Sequence, residues 1–248
     1  MIIKSYKILF FIVFSISSFV SNSQILNGFR IGGGVGESIY WGSQMDGKMS
    51  FNTYNKSEFN PGFNFQLYKA IDTKNELGFR YLNTQLWSFK TSNLQATNAK
   101  INEFAIIYQR SLNENSSLYS GRMLFTHNLV LGLSMISFKS RSFTIDPNTK
   151  IFSVLSSVGY PNDYTTSGLS KPEDQLAVGG IIGYNIGLRL SNNFTIYLEN
   201  TFTLSTNNDI HGNLTSKSKI TNNGYTYSAL SLYFNINSRV NPLGCPKF

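Results

Sequence analysis

The chain has 248 residues, a formal net charge of +8 and a charged fraction of only 14%. Its one cysteine, Cys245, excludes an internal disulfide and with it a small disulfide-stapled secreted domain. The basic residues are spread thinly and do not cluster with aromatic residues. This spacing argues against nucleic-acid recognition and favours loops that face an anionic membrane surface.

The first segment has the three parts of a secretory signal peptide. Two lysines precede an apolar run over Ile8–Val20, and small residues follow ahead of a cleavage site before Gln24. The apolar run is shorter than the roughly 20 residues that a transmembrane helix needs, and serines interrupt it. We therefore predict a cleaved signal peptide over residues 1–23, export from the cytoplasm, and one mature domain over residues 24–248.

Alternating apolar and polar residues recur along the mature chain. The clearest run reads LAVGGIIGYNIGLRL, in which large apolar residues share one parity and glycine, asparagine and arginine share the other. A strand sends successive side chains to opposite faces, so the run is a ribbon with one apolar face. The same pattern predicts eight strands, at about Phe29–Trp41, Pro61–Ile71, Glu76–Phe89, Ile101–Arg110, Leu118–Phe138, Leu176–Leu190, Phe194–Thr206 and Tyr225–Ile236.

The connections between these strands alternate in length. Those near residues 72–75, 111–117 and 191–193 are short and rich in Asn, Asp and Ser, whereas the others are longer and polar. A soluble sandwich gives no reason for this sorting, but an outer-membrane barrel has short periplasmic turns and long outer loops. We therefore predict an all-β fold: a single antiparallel eight-stranded transmembrane β-barrel, a meander, with a periplasmic tail over residues 237–248.

Four segments carry a resemblance to a known family. They read GFRIGGGVGESIY at 28–40, INEFAIIYQR at 101–110, LAVGGIIGYNIGLRL at 176–190 and YSALSLYFNI at 227–236. Together they resemble the small outer-membrane β-barrel family, porin-like in name and close in architecture to the membrane barrels of OmpA and OmpX. The resemblance is one of pattern and implies a multi-pass barrel in the cell outer membrane. This chain departs from the family in one respect. Many such barrels end on an aromatic residue that closes the last strand, whereas here a tail follows the last strand.

Six charged residues point into the barrel when the apolar parity faces outward. They are Glu76, Arg80, Glu103, Arg122, Arg189 and Glu199. An eight-stranded barrel is only just wide enough for its own side chains, so paired charges are tolerated and isolated charges are costly. We predict a salt-bridged plug in which Glu103 pairs with Arg80, Arg122 or Arg189; the alternative is a gated ion path. Glu37 is assigned to neither face, because Gly32–Gly34 can host a bulge that flips the register.

Two histidines are the candidates for an enzymatic base. Asp209-Ile210-His211 resembles the acid–histidine pair of omptin-type proteases, but the second acidic pair and the ten strands of those enzymes are missing. His127 lies on the apolar parity, and Leu129 stands where lipid A deacylases have serine. We therefore predict no catalytic residue and a structural or interaction role. A barrel enzyme acting on lipid or peptide and a narrow solute pore remain the alternatives.

The predicted location also defines the expected partners. A barrel in the outer membrane contacts outer-membrane lipid, including lipopolysaccharide, and its wall or loops can dock onto another envelope protein. No Cys/His cluster has the spacing of a zinc site, and no glycine-rich loop leads from a strand into a helix. We therefore expect neither a metal ion nor another cofactor, and no nucleic acid.

Overall fold

The computed structural model of the protein describes residues 28–41, 60–72, 74–90, 94–112, 124–149, 151–161, 163–191, 193–212, 214 and 223–236, without the side chains of Lys90, Leu124, Asn208 and His211. The predicted signal peptide and the C-terminal tail lie outside these ranges, as do Arg122 and Cys245. In the described part of the chain, no helix is both long and apolar enough to cross a membrane.

The strands of the described residues belong to one sheet. They are β1 (Phe29–Trp41), β2 (Asn60–Ala70), β3 (Asn75–Lys90), β4 (Gln95–Ser111), β5 (Leu124–Ile145), β6 (Phe152–Val158), β7 (Leu169–Lys171), β8 (Gln175–Arg189), β9 (Phe194–Ser205) and β10 (Asn223–Ile236). Eight of them, β1 to β5 and β8 to β10, pair antiparallel in a ring that is closed by β1 against β10 and by β4 against β5. The closed eight-stranded antiparallel barrel predicted from the sequence is confirmed.

The ring has a stagger that can be followed residue by residue. From Met135 on β5, the paired residues lead once around the barrel and back to Phe125, ten residues away on the same strand. Such a stagger accompanies strands that tilt against the barrel axis. The residues in between are Phe104, Tyr81, Phe65, Gly33, Leu232, Ile196 and Leu188.

This circuit shows which way the apolar face points. Phe65, Phe104 and Phe125 are more than half exposed on the outer surface of the ring, while the alternate residues of each strand are buried inside. The apolar parity therefore faces outward, as predicted. The wall differs from that of a soluble protein, because apolar side chains cover the outside and the lumen holds many polar side chains.

The sequence predicts a long polar connection between the strands that end at Phe138 and begin at Leu176, roughly residues 139–175, and this prediction is only partly correct. Strand β5 pairs with β8 up to Phe138 and then continues to Ile145, where β6 takes the place of β8 as its neighbour. Strand β7 lies parallel to β6 at the edge of this extension. Outward side chains here, such as Lys139 and Arg141, are polar, so the apolar alternation that reveals a membrane strand is absent. The extension lies at the end of the barrel that carries the longer connections, called here the loop end; the opposite end is the turn end.

Candidate functional site in the barrel lumen

A buried Arg–Glu pair lies in the middle of the lumen. Arg80 on β3 and Glu103 on β4 are 2% and 0% exposed, and Nη2 of Arg80 donates to Oε1 of Glu103 at 2.6 Å. Nη1 of Arg80 donates to the Thr201 hydroxyl at 3.0 Å. Oε2 of Glu103 accepts from the hydroxyls of Thr203 and Tyr225. Both charged groups are thus hydrogen-bonded on more than one side, which buried ions require.

A second pair occupies the turn end. Arg30 on β1 donates from Nη2 to Oε2 of Glu76 at 2.6 Å and from Nη1 to the Tyr197 hydroxyl at 2.6 Å. Its guanidinium carbon also lies 4.7–4.8 Å from the ring centres of Tyr68, Tyr197 and Tyr233. Three aromatic faces therefore surround one cation, an arrangement that is attractive when water is excluded. We call Arg30 and these three tyrosines the arginine cage.

Glycines make room for the arginine cage. Each tyrosine ring of the cage lies over a glycine of a neighbouring strand: Tyr233 over Gly32, Tyr68 over Gly78, and Tyr197 over Gly187. A Cβ atom at Gly32 would lie only 2.2 Å from the Tyr233 ring. These glycines of the inward parity therefore allow close approach of large rings from the next strand.

A third carboxylate has only neutral partners among the contacts found in the described residues. Oε2 of Glu199 accepts from the amide nitrogens of Asn64 at 2.6 Å and Gln66 at 2.8 Å, and Oε1 accepts from the Tyr233 hydroxyl. Tyr68 in turn donates to the Gln66 carbonyl oxygen at 2.6 Å. Glu199 thus extends the hydrogen bonds of the arginine cage to Asn64 and Gln66.

An apolar layer covers these groups on the side of the loop end. Its members include Leu82, Ile101, Ile136, Phe138, Tyr225, Tyr227 and Ile210. Ile210 is 1% exposed and comes from a short 3₁₀ turn, Asn208–His211, between β9 and β10. The turn is held by the Ser140 hydroxyl, which donates to the Asp209 backbone oxygen at 2.9 Å, and by an ion pair of Asp209 with Lys171. The connection between two strands therefore inserts an apolar side chain into the barrel.

The structure brings together four of the six predicted lumenal charges. Glu76, Arg80, Glu103 and Glu199 all lie inside the ring and take part in the contacts above. Arg189 lies instead at the turn end of β8, where its Nε donates to the backbone oxygen of Ser191 at 3.1 Å. Arg122 lies outside the described residues.

The sequence interpretation missed Arg30 and left Glu37 without an assigned face. Strand β1 pairs with β10 and with β2 in unbroken register, so the glycine run contains no bulge. Even-numbered residues of β1 therefore face the lumen, which places Arg30 inside and Glu37 outside. The signal that identifies Arg30 is its parity, which is opposite to that of Ile31 and Val35.

The two histidines occupy different places. His127 faces outward on β5, with Nδ1 2.6 Å from the Tyr184 hydroxyl. The backbone of His211 ends the 3₁₀ turn, while its side chain lies outside the described residues. The neighbouring acid, Asp209, is paired with Lys171. Among the described side chains, no three His, Cys, Asp or Glu residues are grouped closely enough to hold a metal ion.

Comparisons with known proteins give a distant likeness in fold. No family model and no curated protein matches the sequence. Among solved structures, Neisserial surface protein A is 10% identical with a TM-score of 0.44, covering 84% of this chain and 97% of its own. Ail, the attachment invasion locus protein of Yersinia pestis, is 14% identical with a TM-score of 0.43, at 84% and 98% coverage. The N-terminal β-barrel domain of Pseudomonas aeruginosa OprF is 9% identical with a TM-score of 0.44, at 84% and 97% coverage.

Proposed function

We propose that this protein is a non-enzymatic outer-membrane β-barrel with a structural or interaction role and a lumen plugged by its salt-bridge network. The observation that carries the proposal is the fully buried Arg80–Glu103 pair, whose polar atoms are hydrogen-bonded inside a barrel covered by an apolar layer. Conduction requires a water column, and a lumen filled by paired side chains does not offer one.

The outer surface supports the membrane location. Apart from Gly33, the circuit of outward residues described above is apolar or aromatic. Every strand of the closed ring also has a neighbour on each side for its backbone groups to pair with. A hydrocarbon environment demands both properties, because it offers no hydrogen bonds to an open sheet edge. In water the same circuit would be an exposed apolar belt, which soluble monomers avoid.

Two lysines support a lipid partner at the loop end. On β4 and β5 the outward residues change from Phe104 and Met135 to polar side chains, and Lys100 and Lys139 then stand directly opposite each other. Like charges in this position repel, although Asp174 lies 3.2 Å from Lys139 and offsets part of the repulsion. A lipid phosphate at the belt edge would stabilise both ammonium groups. The proposed partner is therefore outer-membrane lipid, including lipopolysaccharide.

The extension of β5, β6 and β7 supports an interaction role. It projects beyond the ring at the loop end and is held by ion pairs, among them Arg141–Asp163 at 2.6 Å. Tyr164 at its edge is 98% exposed. An ordered, water-exposed surface carried on a closed barrel suits contact with another envelope protein or with the surroundings of the cell.

Conductance tests the plugged lumen. We expect purified wild-type protein in planar bilayers to give no steady current, because side chains fill the lumen. We expect Glu103→Ala to lower the unfolding midpoint in detergent, since it leaves the Arg80 guanidinium buried without its carboxylate. A steady ion-selective current from the wild type, together with an unchanged midpoint in the variant, would contradict the plug and favour the pore.

Two further assays test the location and the absence of catalysis. A closed barrel resists detergent until boiled, so we expect heat-modifiable migration on gels and no release from membranes by high salt or carbonate. Lipid A modification and casein cleavage are expected to be absent in the wild type. Activity that disappears in His127→Ala or His211→Ala would identify a barrel enzyme.

A further inference from the structure

Three side-chain amides line the turn end of the lumen together with the arginine cage. They are Gln109 on β4, Asn128 on β5 and Asn185 on β8, and each residue is 3% exposed. Asn128 pairs with Asn185 across β5 and β8, and Gln109 pairs with Glu76 across β4 and β3. The cage and Glu76 occupy the other five strands of the ring. This end of the lumen therefore has a charged, aromatic side and a neutral, polar side.

The three amides do not satisfy one another. Nδ2 of Asn185 donates to Oε1 of Gln109 at 3.5 Å, which is the long limit of a hydrogen bond. Within the described part of the chain, the buried Nδ2 of Asn128 and the buried Oδ1 of Asn185 have no hydrogen-bond partner. Buried polar atoms are nearly always paired with protein or with ordered water, because an unmet donor or acceptor destabilises the fold. One donor and one acceptor on directly paired residues thus each require a partner.

The partner that fits these atoms is neutral and offers both an acceptor and a donor. The amides carry no charge, and the nearby Arg30 and Glu76 already form an ion pair at 2.6 Å. A water molecule can accept from Nδ2 of Asn128 and donate to Oδ1 of Asn185, and a buried water needs several partners of this kind. Nε of Arg30 is a further buried donor for which the described residues provide no acceptor. The hydrogen-bonding groups at this end therefore match water.

Solvent already reaches the lumen at the turn end. Glu76 has inward parity, yet its side chain is 25% exposed, whereas Glu103 in the centre is 0% exposed. At the loop end, the apolar layer that includes Ile136 and Ile210 covers the central pair. The two ends of the lumen thus differ, because one has exposed polar groups and the other has buried apolar groups.

We propose that the turn end of the lumen is a hydrated pocket in which ordered water bridges Asn128 and Asn185. The proposal rests on the plugged lumen proposed above and places the start of the plug at the Arg80–Glu103 pair. Water enters beside Glu76 and extends to the amides. It ends at the central pair, whose charged groups are satisfied by each other and by protein hydroxyl groups. The barrier to ions is then the centre of the lumen and the apolar layer.

Thiol labelling tests the position of the pocket. In a Cys245→Ser background, Asn128→Cys and Ala99→Cys place a thiol at two inward positions that are both 3% exposed, one in the pocket and one in the apolar layer. We expect a small water-soluble methanethiosulfonate to modify Asn128→Cys at least tenfold faster than Ala99→Cys, with the protein in detergent micelles. Slow modification at both positions would overturn the pocket and leave the plug intact. Fast modification at both positions would refute the plug itself.

A measurement on the wild type covers the case in which a cysteine disturbs the packing. Nuclear Overhauser contacts between water and the side-chain amide protons are expected for Asn128. Asn64 is the matched control, because it is 4% exposed and its amide nitrogen donates to Glu199 at 2.6 Å, so we expect no water contact there. Absence of a water contact at Asn128, or equal contacts at both amides, would overturn the proposed pocket.

Discussion

Arg80 and Arg30 each contact one glutamate in the same lumen, yet their surroundings differ. Arg80 meets Glu103, which is completely buried, and the remaining polar atoms of the pair are satisfied by hydroxyl groups. Arg30 meets Glu76, whose side chain is 25% exposed, and three tyrosine rings enclose its guanidinium. Arg80 is stabilised by its ion pair and by hydrogen bonds, whereas Arg30 has aromatic faces in addition to its ion pair.

The difference shows how position in the barrel decides what a charge needs. In the centre, water is excluded on all sides, so Arg80 depends on its carboxylate partner. At the turn end, water reaches Glu76, and the arginine cage supplies stabilisation that does not require that carboxylate. The two pairs should therefore respond differently when their acids are removed.

The largest effect is expected from Glu103→Ala. The variant leaves a buried guanidinium without its counter-charge, which typically costs about 3–5 kcal/mol of unfolding free energy. The measurement is equilibrium unfolding in detergent. The double variant Arg80→Met/Glu103→Leu should recover much of the loss, and a double variant as unstable as the single one would show that the pair is not the source of the effect.

The arginine cage can be broken through its packing. Gly32→Ala places a methyl group where the Tyr233 ring lies, and overpacking of this kind costs about 1–3 kcal/mol. Gly180→Ala is the control, because no atom lies within 4 Å of the added Cβ, and we expect an effect within about 0.5 kcal/mol. Equal losses in the two variants would mean that the ring over Gly32 does not determine the result.

A smaller effect is expected from Glu76→Ala. Arg30 is buried but keeps its hydrogen bond to Tyr197 and its three aromatic faces. Water can reach the place that Glu76 leaves, because the Glu76 side chain is 25% exposed. We therefore expect a loss of unfolding free energy below the roughly 3–5 kcal/mol expected for Glu103→Ala. If this variant were as destabilising as Glu103→Ala in the same unfolding assay, the contrast between the two pairs would be wrong.

The smallest effect concerns pH at the turn between β2 and β3, outside the membrane. Hydrogen bonds from the Asn75 side chain and from the Lys74 and Asn75 backbone lower the pKa of Asp72. A lowered pKa stabilises the folded state above the ordinary aspartate value of about 4, and this contribution is lost as pH falls through the lowered pKa. The wild type should therefore be slightly more stable than Asp72→Asn at neutral pH. Unfolding midpoints measured down to low pH should converge.

The sequence predicted the ring well because lipid imposes a period of two on every strand. The predicted bounds of β1 agree with the structure, and those of β8, β9 and β10 differ by one or two residues at an end. The prediction of strand bounds was wrong beyond the lipid-facing part of the wall. Strand β4 begins at Gln95 and not at Ile101, because Asn98 and Lys100 on the outward parity are polar and the alternation disappears.

The candidate site was predictable only in its charges. Parity places Arg80 and Glu103 inside, but it does not show which neutral groups will satisfy a charge. The sequence therefore predicts that Glu199 belongs to a salt-bridge network, whereas in the structure its hydrogen-bond partners are two side-chain amides and a tyrosine. The sequence does not identify Ile210 as a lumenal residue for another reason. A connection that folds back into the barrel has no alternating pattern of apolar and polar residues.

The arginine cage also has a consequence for assembly. Arg30 lies on the first strand, Tyr233 on the last, and Tyr197 is separated from Arg30 by 167 positions in the chain. A sheet that has not yet joined its two ends leaves the guanidinium without Tyr233 and Tyr197, so it lacks two of its three rings and a hydrogen bond. Pairing of β1 with β10 supplies both tyrosine rings and the hydrogen bond at the same time. The seam between the terminal strands is therefore stabilised from inside as well as along its backbone, which penalises partly open intermediates and makes formation of the cylinder cooperative.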